Sequence, residues 1–486
     1  MYFLNLHGNL NFDENAPDGI NDENVFDQIQ QGISINILVK KSGIDKRVFY
    51  ADWWGEREDK YKLAWESDFK EVLWQELKPN FPFYFFVPKN EANRETYDEF
   101  WKVDEIFSEF TTGLVTARDS LNISFTSNES YSKVKEFTEL KEEEARGKFN
   151  LKKDSRDWTY KTALKDAQNN LNPNKVVRIS YRPFDNRYTL YTGNSRGLYS
   201  SPQKNIMQNL LNTPNIALIT AKKNRSSQMN HFFVNKYITE AKCGESTTQS
   251  YTFPLFLTRD KQATGTATIN FTSKFLKFLN ENCKENTPEQ IFGYIYAILY
   301  SPTYRKKYSE FLKSDFPKIP FTKDKEVFQQ LSKLGAQLVI LHTAENKQDS
   351  WEANSLDDFE IFTTKQSDKQ QIGSYIGSGP NHTVDEVRFE LLKEHEMPEE
   401  ILQKLMPEEK HWGRIYFSQN KYFNYVPQSA WQMQIGGYFI LEKWLKYRQN
   451  RELSGEESNS YPQIIKSLCA TLQIMKQIDS FTESWI

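Results

Sequence analysis

Cysteine is scarce in this chain. The three present, Cys243, Cys283 and Cys469, are scattered, with no CxxC pair and no histidine at metal-ligand spacing, which argues against a disulfide framework or a zinc site. Histidine is scarce too, and His7, His342 and His411 have no serine, cysteine or carboxylate partner at a spacing that specifies a triad or a metal centre. The paired carboxylates Asp357 and Asp358 have no PD…(D/E)xK nuclease pattern around them and read as a charged loop. Long apolar runs are missing as well. The longest, Ile291 to Tyr300, is far short of the roughly 20 residues needed to span a bilayer, and no signal-like segment opens the chain, so the expected location is cytoplasmic with no membrane partner. A phosphate-binding GxxxxGK[ST] loop is also absent. The glycine-rich IGSYIGSGP, Ile372 to Pro380, lacks its lysine, sits in a polar break and reads as a linker.

What the chain does have is apolar and aromatic content, 38% and 15%, spread over 486 residues, enough for two to four domains with real cores. The net charge of −3 conceals an uneven distribution. Residues 151 to 242 hold sixteen Lys/Arg against five Asp/Glu, whereas residues 1 to 110 hold twelve against twenty-two. A basic block within a mildly acidic chain fits a local polyanion site, because phosphate neutralisation supplies most sequence-independent DNA affinity. It also fits a lysine-rich solvated surface.

Along the chain, YFLNLHGNL reads as a strand, Asp22 to Gln31 as a helical or turn segment, ISINILVKK as a buried strand and VFYADWWG as another, followed by an amphipathic helix from Glu56 to Glu76. No glycine-rich first turn precedes them, so they look like the end of a sheet. FPFYFFVP reads as an aromatic strand, Tyr97 to Phe110 as a helix, and Ser130 to Lys148 as a charged helix. The basic block is a run of short strands: VVRISYRPFDNRYTLY, NIALITAKKNR, HFFVNKYI and YTFPLFL. A helical hairpin follows. Thr287 caps a helix with Pro288 in its first turn and Gln290 at the capping-box position, Ser301-Pro302 starts a second helix, and Asp324 to His342 forms a third. Lys347 to Ile376 is polar and weakly periodic, and a closing helical unit runs from Leu441 to Ile478.

Two motifs in the basic region carry possible chemistry. SYRPFDNRYTLY places Arg182, Asp185, Arg187 and three tyrosines beside a proline turn. Guanidinium forks suit phosphate or guanine edges and tyrosine hydroxyls can hold phosphate, so the composition fits a DNA face; equally, Asp185 can pair with one arginine while the tyrosines pack in a sheet. Asn194, Arg196, Lys204, Lys222, Lys223 and Arg225 extend the positive character onto neighbouring loops. In GLVTARD, Arg118 can read a base edge or staple its own loop, and the staple is the better reading. IGGY, Ile435 to Tyr438, reads as a tight packing turn.

The run TPEQIFGYIYAILYSPTYRKKYSEFLKSDFPKIPF, Thr287 to Phe321, resembles the C-terminal specificity region of type ISP restriction-modification enzymes. These are single polypeptides that combine nuclease, helicase-like translocase, adenine-N6 methyltransferase and target-recognition parts. The resemblance continues in order through LNLHGN, APDGINDENVFD, VFYADWWG, PFYFFVPK, GLVTARD, SYRPFDNRY, PNIALIT, YTFPLFL, IGGY with EKWLKYR, and TLQIMKQID. The first two phrases resemble the last strands of the family's methyltransferase domain and the remainder its target-recognition region. The (D/N)PP(Y/F/W) loop that such a methyltransferase needs is missing. NPNK at Asn172 and TPNI at Thr213 lack the second proline and the aromatic.

The resemblance implies a mixed fold, α/β plus α+β: a remnant of a Rossmann-like methyltransferase sheet over residues 1–80, then a target-recognition module over 81–346 with the helical hairpin near 287–343, and a C-terminal part with helices over 347–486. It implies recognition of double-stranded DNA and presentation of a target adenine, with S-adenosylmethionine expected in a missing methyltransferase half and no cofactor in this chain. An upstream methyltransferase, helicase or nuclease polypeptide would then be the protein partner, and the chain would not be catalytic alone. The alternative is a complete adenine methyltransferase with unrecognised catalytic residues, or a disrupted-gene fragment of one. Arg118, Arg182, Arg187, Asn194, Arg196, Lys204, Lys222, Lys223 and Arg225 are the expected DNA contacts.

Overall fold

Contacts divide the chain between Ala92 and Asn93, so residues 81–92 fall with the N-terminal part and residues 93–486 form one unit. The computed structural model describes residues 1–10, 16, 17, 19, 21–81, 83–211, 214–226, 228–258, 267–283, 285–343, 356, 359–363, 371–377, 382–398 and 400–486. Asp357, Asp358, Thr213, the end of IGSYIGSGP and most of the polar segment 347–376 lie outside those residues.

The first unit is a four-stranded sheet built from β1 (Tyr2–Asn5), β2 (Ser34–Ile37), β3 (Val48–Asp52) and β4 (Gln75–Leu77), in the order β2-β1-β3-β4. β1 and β3 run parallel, and the other pairs are antiparallel. Its internal anchor is an ion pair between side chains with no exposed surface. Lys60, on α1 (Arg57–Glu66), donates to Asp22 at 2.7 Å and to the carbonyls of Leu6 and Glu23 at 2.8 and 2.6 Å. Asp22 also accepts from the amides of Gly8 and Gly55, so one carboxylate pins the end of β1, the turn at residues 22–24 and the entry to the helix. Three expectations change here. ISINILVKK forms an edge strand with all four residues exposed, since it pairs on one side only. The amphipathic helix stops at Glu66 and its tail becomes β4. The described residues of FPFYFFVP make turns and bends, not a strand.

Among the described residues, the second unit places three larger sheets and three two-stranded ones around one continuous core running from Tyr97 to Ile486. One sheet comprises β5 (Thr111–Thr112), β8 (Ala217–Ala221), β9 (Phe232–Asn235) and β11 (Ser250–Pro254), in the order β9-β8-β11-β5. The second is the hairpin β6 (Val176–Arg182) and β7 (Asp185–Leu190), with β10 (Ile238–Thr239) parallel to β6. The third is antiparallel, in the order β12 (Ser374–Ile376), β15 (Lys421–Pro427), β14 (Trp412–Ser418), β13 (Arg388–Leu391). Helix α2 (Ser127–Glu139) packs against the hairpin and against α3 (Tyr160–Asn170). α4 (Pro288–Tyr300), α5 (Lys325–Thr343), α6 (Ile440–Lys446) and the long α7 (Gly455–Thr482) follow later in the chain. The expected helix from Ser130 to Lys148 is two helices, broken at Leu140–Lys141, and Tyr97 to Phe110 is likewise interrupted by a short strand at Trp101–Lys102. Leu356, Ile361, Phe362 and Ile372, from the polar segment, are buried in this same core. Among the described residues, no helix is long and apolar enough to cross a membrane.

The helical hairpin forms as its punctuation predicts. The Thr287 hydroxyl accepts from the Gln290 amide at 3.2 Å, while the Gln290 side chain accepts from the Thr287 amide at 2.9 Å. α4 is buried over its whole length from Ile291 and meets α5 through glycines. A Cβ at Gly335 would lie 1.7 Å from the Gly293 carbonyl oxygen, and one at Gly293 would lie 2.6 Å from that of Ser332. His342 then joins three helices: its ring bonds the Tyr296 hydroxyl on α4 at 2.6 Å and the Thr471 hydroxyl on α7 at 3.0 Å. Burial, with the nearby Arg305 cation adding to it, lowers its pKa to about 3, so the ring is neutral at pH 7.

Because the obstruction at Gly335 is backbone on both sides, Gly335→Ala must separate α4 from α5. Expected is a destabilisation of about 1–3 kcal/mol, at the upper end because neither helix can yield locally, measured by urea unfolding. A change below about 0.5 kcal/mol would show that the two helices are not in close contact.

Candidate nucleic-acid interface

The hairpin at the centre of the basic block turns through Pro183 and Phe184, the latter at φ 58°, and brings Arg182 into register with Asp185. Arg182 and Arg187 face inward. Arg187 donates twice to Asp185, at 3.1 and 2.8 Å, and Arg448, 263 residues away, donates to the other oxygen of the same carboxylate at 2.9 Å. Arg448 also donates to Glu457 at 2.8 Å, and Arg451 pairs with Glu457 as well. Arg182 is committed to Glu240 at 2.7 Å, to the Tyr181 carbonyl and to the Tyr447 hydroxyl. Burial alone would push the Asp185 carboxyl upward, yet attraction to Arg187, then Arg448, with hydrogen bonds from both, holds it at about 2. For Glu240 burial wins over Arg182, and its carboxyl is raised. Arg118 is buried too. It donates to the carbonyls of Ala117 and Lys153 at 2.7 and 2.9 Å and lies 4.3 Å from the Trp158 ring, which is the loop staple.

The remaining expected contacts are exposed, on loops of fixed shape. Asp166, buried on α3, gathers the loop that follows β7: it accepts from Thr192 at 2.8 Å, Asn194 at 2.7 Å and the Leu198 amide at 2.9 Å. Gly197 is required there, because a Cβ would lie 2.1 Å from that carboxylate. The loop crosses into the left-handed region at Arg196, φ 57°, and leaves its side chain in solvent, while Asn194 faces back toward Asp166. Lys204 is exposed just after Gln203, whose amide exchanges hydrogen bonds with Thr111 and Thr112 on β5. Lys222, Lys223 and Arg225 are exposed in the loop leaving β8, two strand spacings or about 10 Å from β5. Asn224, buried between them, fixes that loop through Ser226 and through its own amide to the Leu312 carbonyl. Lys204, Lys222, Lys223 and Arg225 therefore sit at one end of one sheet, and Arg196 on the loop that Asp166 shapes.

Sequence composition drew attention to Arg182 and Arg187 and passed over the opposite face of the hairpin. Arg178, Asn186 and Tyr188 stand there, half-buried, with Arg178 paired across the strands to Tyr188. The alternation of Asn186, Arg187 and Tyr188 along one strand was the available signal, since neighbours in a strand point to opposite faces. Among the described residues no group of three or more His, Cys, Asp or Glu is placed to hold a metal ion.

The model of the type ISP C-terminal specificity domain matches residues 105–477. This chain belongs to that family. No curated protein matches this chain. Among solved structures it is similar to a nuclease-deletion mutant of the type ISP restriction-modification enzyme LlaGI in complex with a DNA substrate mimic, with 17% identity and a TM-score of 0.64 over 99% of this chain. It is also similar to the DrdV–DNA complex, with 18% identity and a TM-score of 0.65 over 100% of this chain. The ATP-dependent type ISP enzyme LlaBIII bound to DNA gives 18% and 0.62 over 100%. At these identities the likeness is one of fold. This chain spans 43%, 48% and 30% of those three chains, less than half of each.

Asp185 gives a pH test with a definite sign. Its carboxyl is held near 2, against an ordinary 3.8, so its contribution is fully present above about pH 4 and is lost as pH falls through 2. Stability measured by urea unfolding is expected to drop across that window by about 2 kcal/mol on this account. Asp185→Asn should remove that part of the drop and lower stability at pH 7 by about 3–5 kcal/mol, because Arg187 and Arg448 stay buried without their counter-charge.

Proposed function

We propose that this chain is the DNA sequence-recognition part of a type ISP restriction-modification system and presents a target adenine to an N6-adenine methyltransferase. The observation that carries the reading is the exposed set Arg196, Lys204, Lys222, Lys223 and Arg225, held on shaped loops within a family specificity domain, all but Arg196 at one end of a sheet. These side chains contact phosphates and set register on the duplex, the sequence-independent part of recognition. Arg118, Arg182 and Arg187 act one layer below, holding the loops and the hairpin in the shape that meets DNA. Asn194 divides its role, its amide nitrogen committed to Asp166 and its carbonyl oxygen left as an acceptor.

The first unit is the remnant of a methyltransferase-like sheet, a reading supported by its parallel β1–β3 pair and its thin core of Leu4, Leu6, Val25 and Ala51. Ile35, Ile37, Leu38 and Val39 line an exposed edge, and Trp65 and Leu73 are 91% and 92% exposed, as expected of a surface that a separate upstream polypeptide covers. S-adenosylmethionine belongs to that partner. The glycine after β1 offers it no cradle here, since a Cβ on Gly8 would meet the Asn24 backbone at 2.3 Å.

Selection of bound sequences from a randomised duplex pool, at about 0.15 M salt so that screening trims purely electrostatic binding, is expected to enrich one asymmetric motif. No enrichment by a folded sample would overturn self-sufficient recognition. In the same system, replacing Lys222 and Lys223 together by alanine should weaken all duplexes about equally and reduce the slope of log affinity against log salt by about two. An unchanged slope would remove both lysines from the interface.

A further inference from the structure

A hollow of about 390 Å³ lies between the loop joining β8 to β9, the short helix Pro302–Lys307 with the turn after it, and α7. Its volume is within the range of about 300–1,000 Å³ typical of small-molecule sites. The lining combines apolar surface from Met229, Pro302 and Met475 with two cations, Arg305 and Lys306, and the Ser309 side chain. Among the described residues no carboxylate lines it. The loop is the one that carries Lys222 and Lys223, and the Asn224 amide fastens it to the Leu312 carbonyl at 3.2 Å.

Arg305 is a buried cation that the fold leaves without a counter-charge. It is 9% exposed, its Nε donates to the Leu299 carbonyl at 2.6 Å, and the Tyr300 and Phe232 rings lie 4.5 and 5.4 Å from its guanidinium carbon. Nη2 has no hydrogen-bond partner. Among the described residues no carboxylate forms an ion pair with it, whereas Arg182, Arg187 and Arg448 each have one. Asp479 draws on the charge only weakly and is engaged by Ser301 and Thr303. Burial therefore lowers the Arg305 pKa, with attraction to Tyr300, Tyr296 and Asp479 opposing it only in part. An unpaired buried charge is costly, and an anion at its unbonded edge offsets that cost. The Lys306 ammonium and the Ser309 hydroxyl are likewise without hydrogen-bond partners among the described residues. A guanidinium edge, an ammonium and a hydroxyl around space for one compact group are the complement of a phosphate.

We propose that this hollow binds a single phosphate group at the unbonded edge of Arg305, with Lys306 and the Ser309 hydroxyl completing its shell. The source is either a backbone phosphate of a duplex lying on the loop that leaves β8, or a free phosphate. For the first source the proposal rests on the DNA-recognition reading above; for the second it stands alone. A backbone phosphate held here fixes the position of the duplex relative to Lys222 and Lys223, because one loop carries those lysines and lines the hollow.

Inorganic phosphate is titrated into the full chain by calorimetry at constant ionic strength, so that screening does not change as phosphate is added. Saturable binding is expected, roughly nine-tenths complete at about 10 mM for a dissociation constant of about 1 mM. Arg305→Lys, which removes the fork, should weaken it about tenfold. Lys306→Gln and Ser309→Ala, at positions outside the core, should weaken it about fivefold and threefold and keep the test open if the buried variant fails to fold. A slope of log duplex affinity against log salt that falls by about one in Lys306→Gln assigns the source as DNA backbone. An unchanged slope alongside phosphate binding assigns it as the free group. No saturable phosphate binding by the folded chain, or binding untouched by Lys306→Gln and Ser309→Ala, overturns the proposal. Phosphate binding by a chain with no affinity for any duplex keeps the site and sinks the DNA-recognition reading instead.

Discussion

One carboxylate with almost no exposed surface organises the C-terminal unit. Asp185 sits in a turn that local sequence would build anyway, but its two oxygens are shared between Arg187 beside it and Arg448 on the far side of the sequence. A buried charge is tolerable only when fully paired, and here the pairing requires the hairpin, the segment after α6 and the start of α7 to meet in one arrangement. Arg448 passes the constraint on to Glu457, which closes the capping box of α7 by accepting from the Ser454 amide. Hairpin and terminal helix are thus fixed by the same charges, and the surface loops hang from that frame.

This separates two populations of cations that look alike in a list of basic residues. Arg118, Arg182 and Arg187 lie over aromatic rings and donate to internal acceptors, as expected of a weakly hydrated, planar guanidinium. Lys204, Lys222 and Lys223 stay in water, as expected of strongly hydrated ammonium groups. The exposed positive charge in the block therefore belongs to the lysines with Arg196 and Arg225, while Arg182 and Arg187 are paired with Glu240 and Asp185.

Local chemistry was legible in the sequence wherever it is decided within a few residues. Thr287 with Gln290, and Ser301 with Pro302, start helices where their spacing says they should, and the strands of the basic block fall on their apolar runs. The staple at Arg118 and the pairing of Asp185 with one arginine were both among the readings that sequence allowed. What remained hidden depends on distance or on neighbours. The bond from Arg448 to Asp185 crosses 263 residues, and ISINILVKK has the apolar residues of a buried strand but lies at a sheet edge where nothing in its own composition could reveal it. A register shift between Ser180 and Arg182 moves the second arginine off the face that simple alternation would assign. The opposite face of the hairpin went unseen for the related reason that Arg178 and Tyr188 are conspicuous only once the strands pair.

The loop after β7 owes its shape to Asp166, which grips it through one backbone amide and the side chains of Thr192 and Asn194, and to a backbone bridge from Ser195 to Tyr199, while Ser195 and Arg196 themselves are exposed. Such a loop behaves like a socket with interchangeable fittings. Substitutions at the two outer positions alter what the surface offers without disturbing the core, so descendants of this chain could drift in what they recognise while inheriting the same foldability, and new preferences need not wait for compensating changes in the interior.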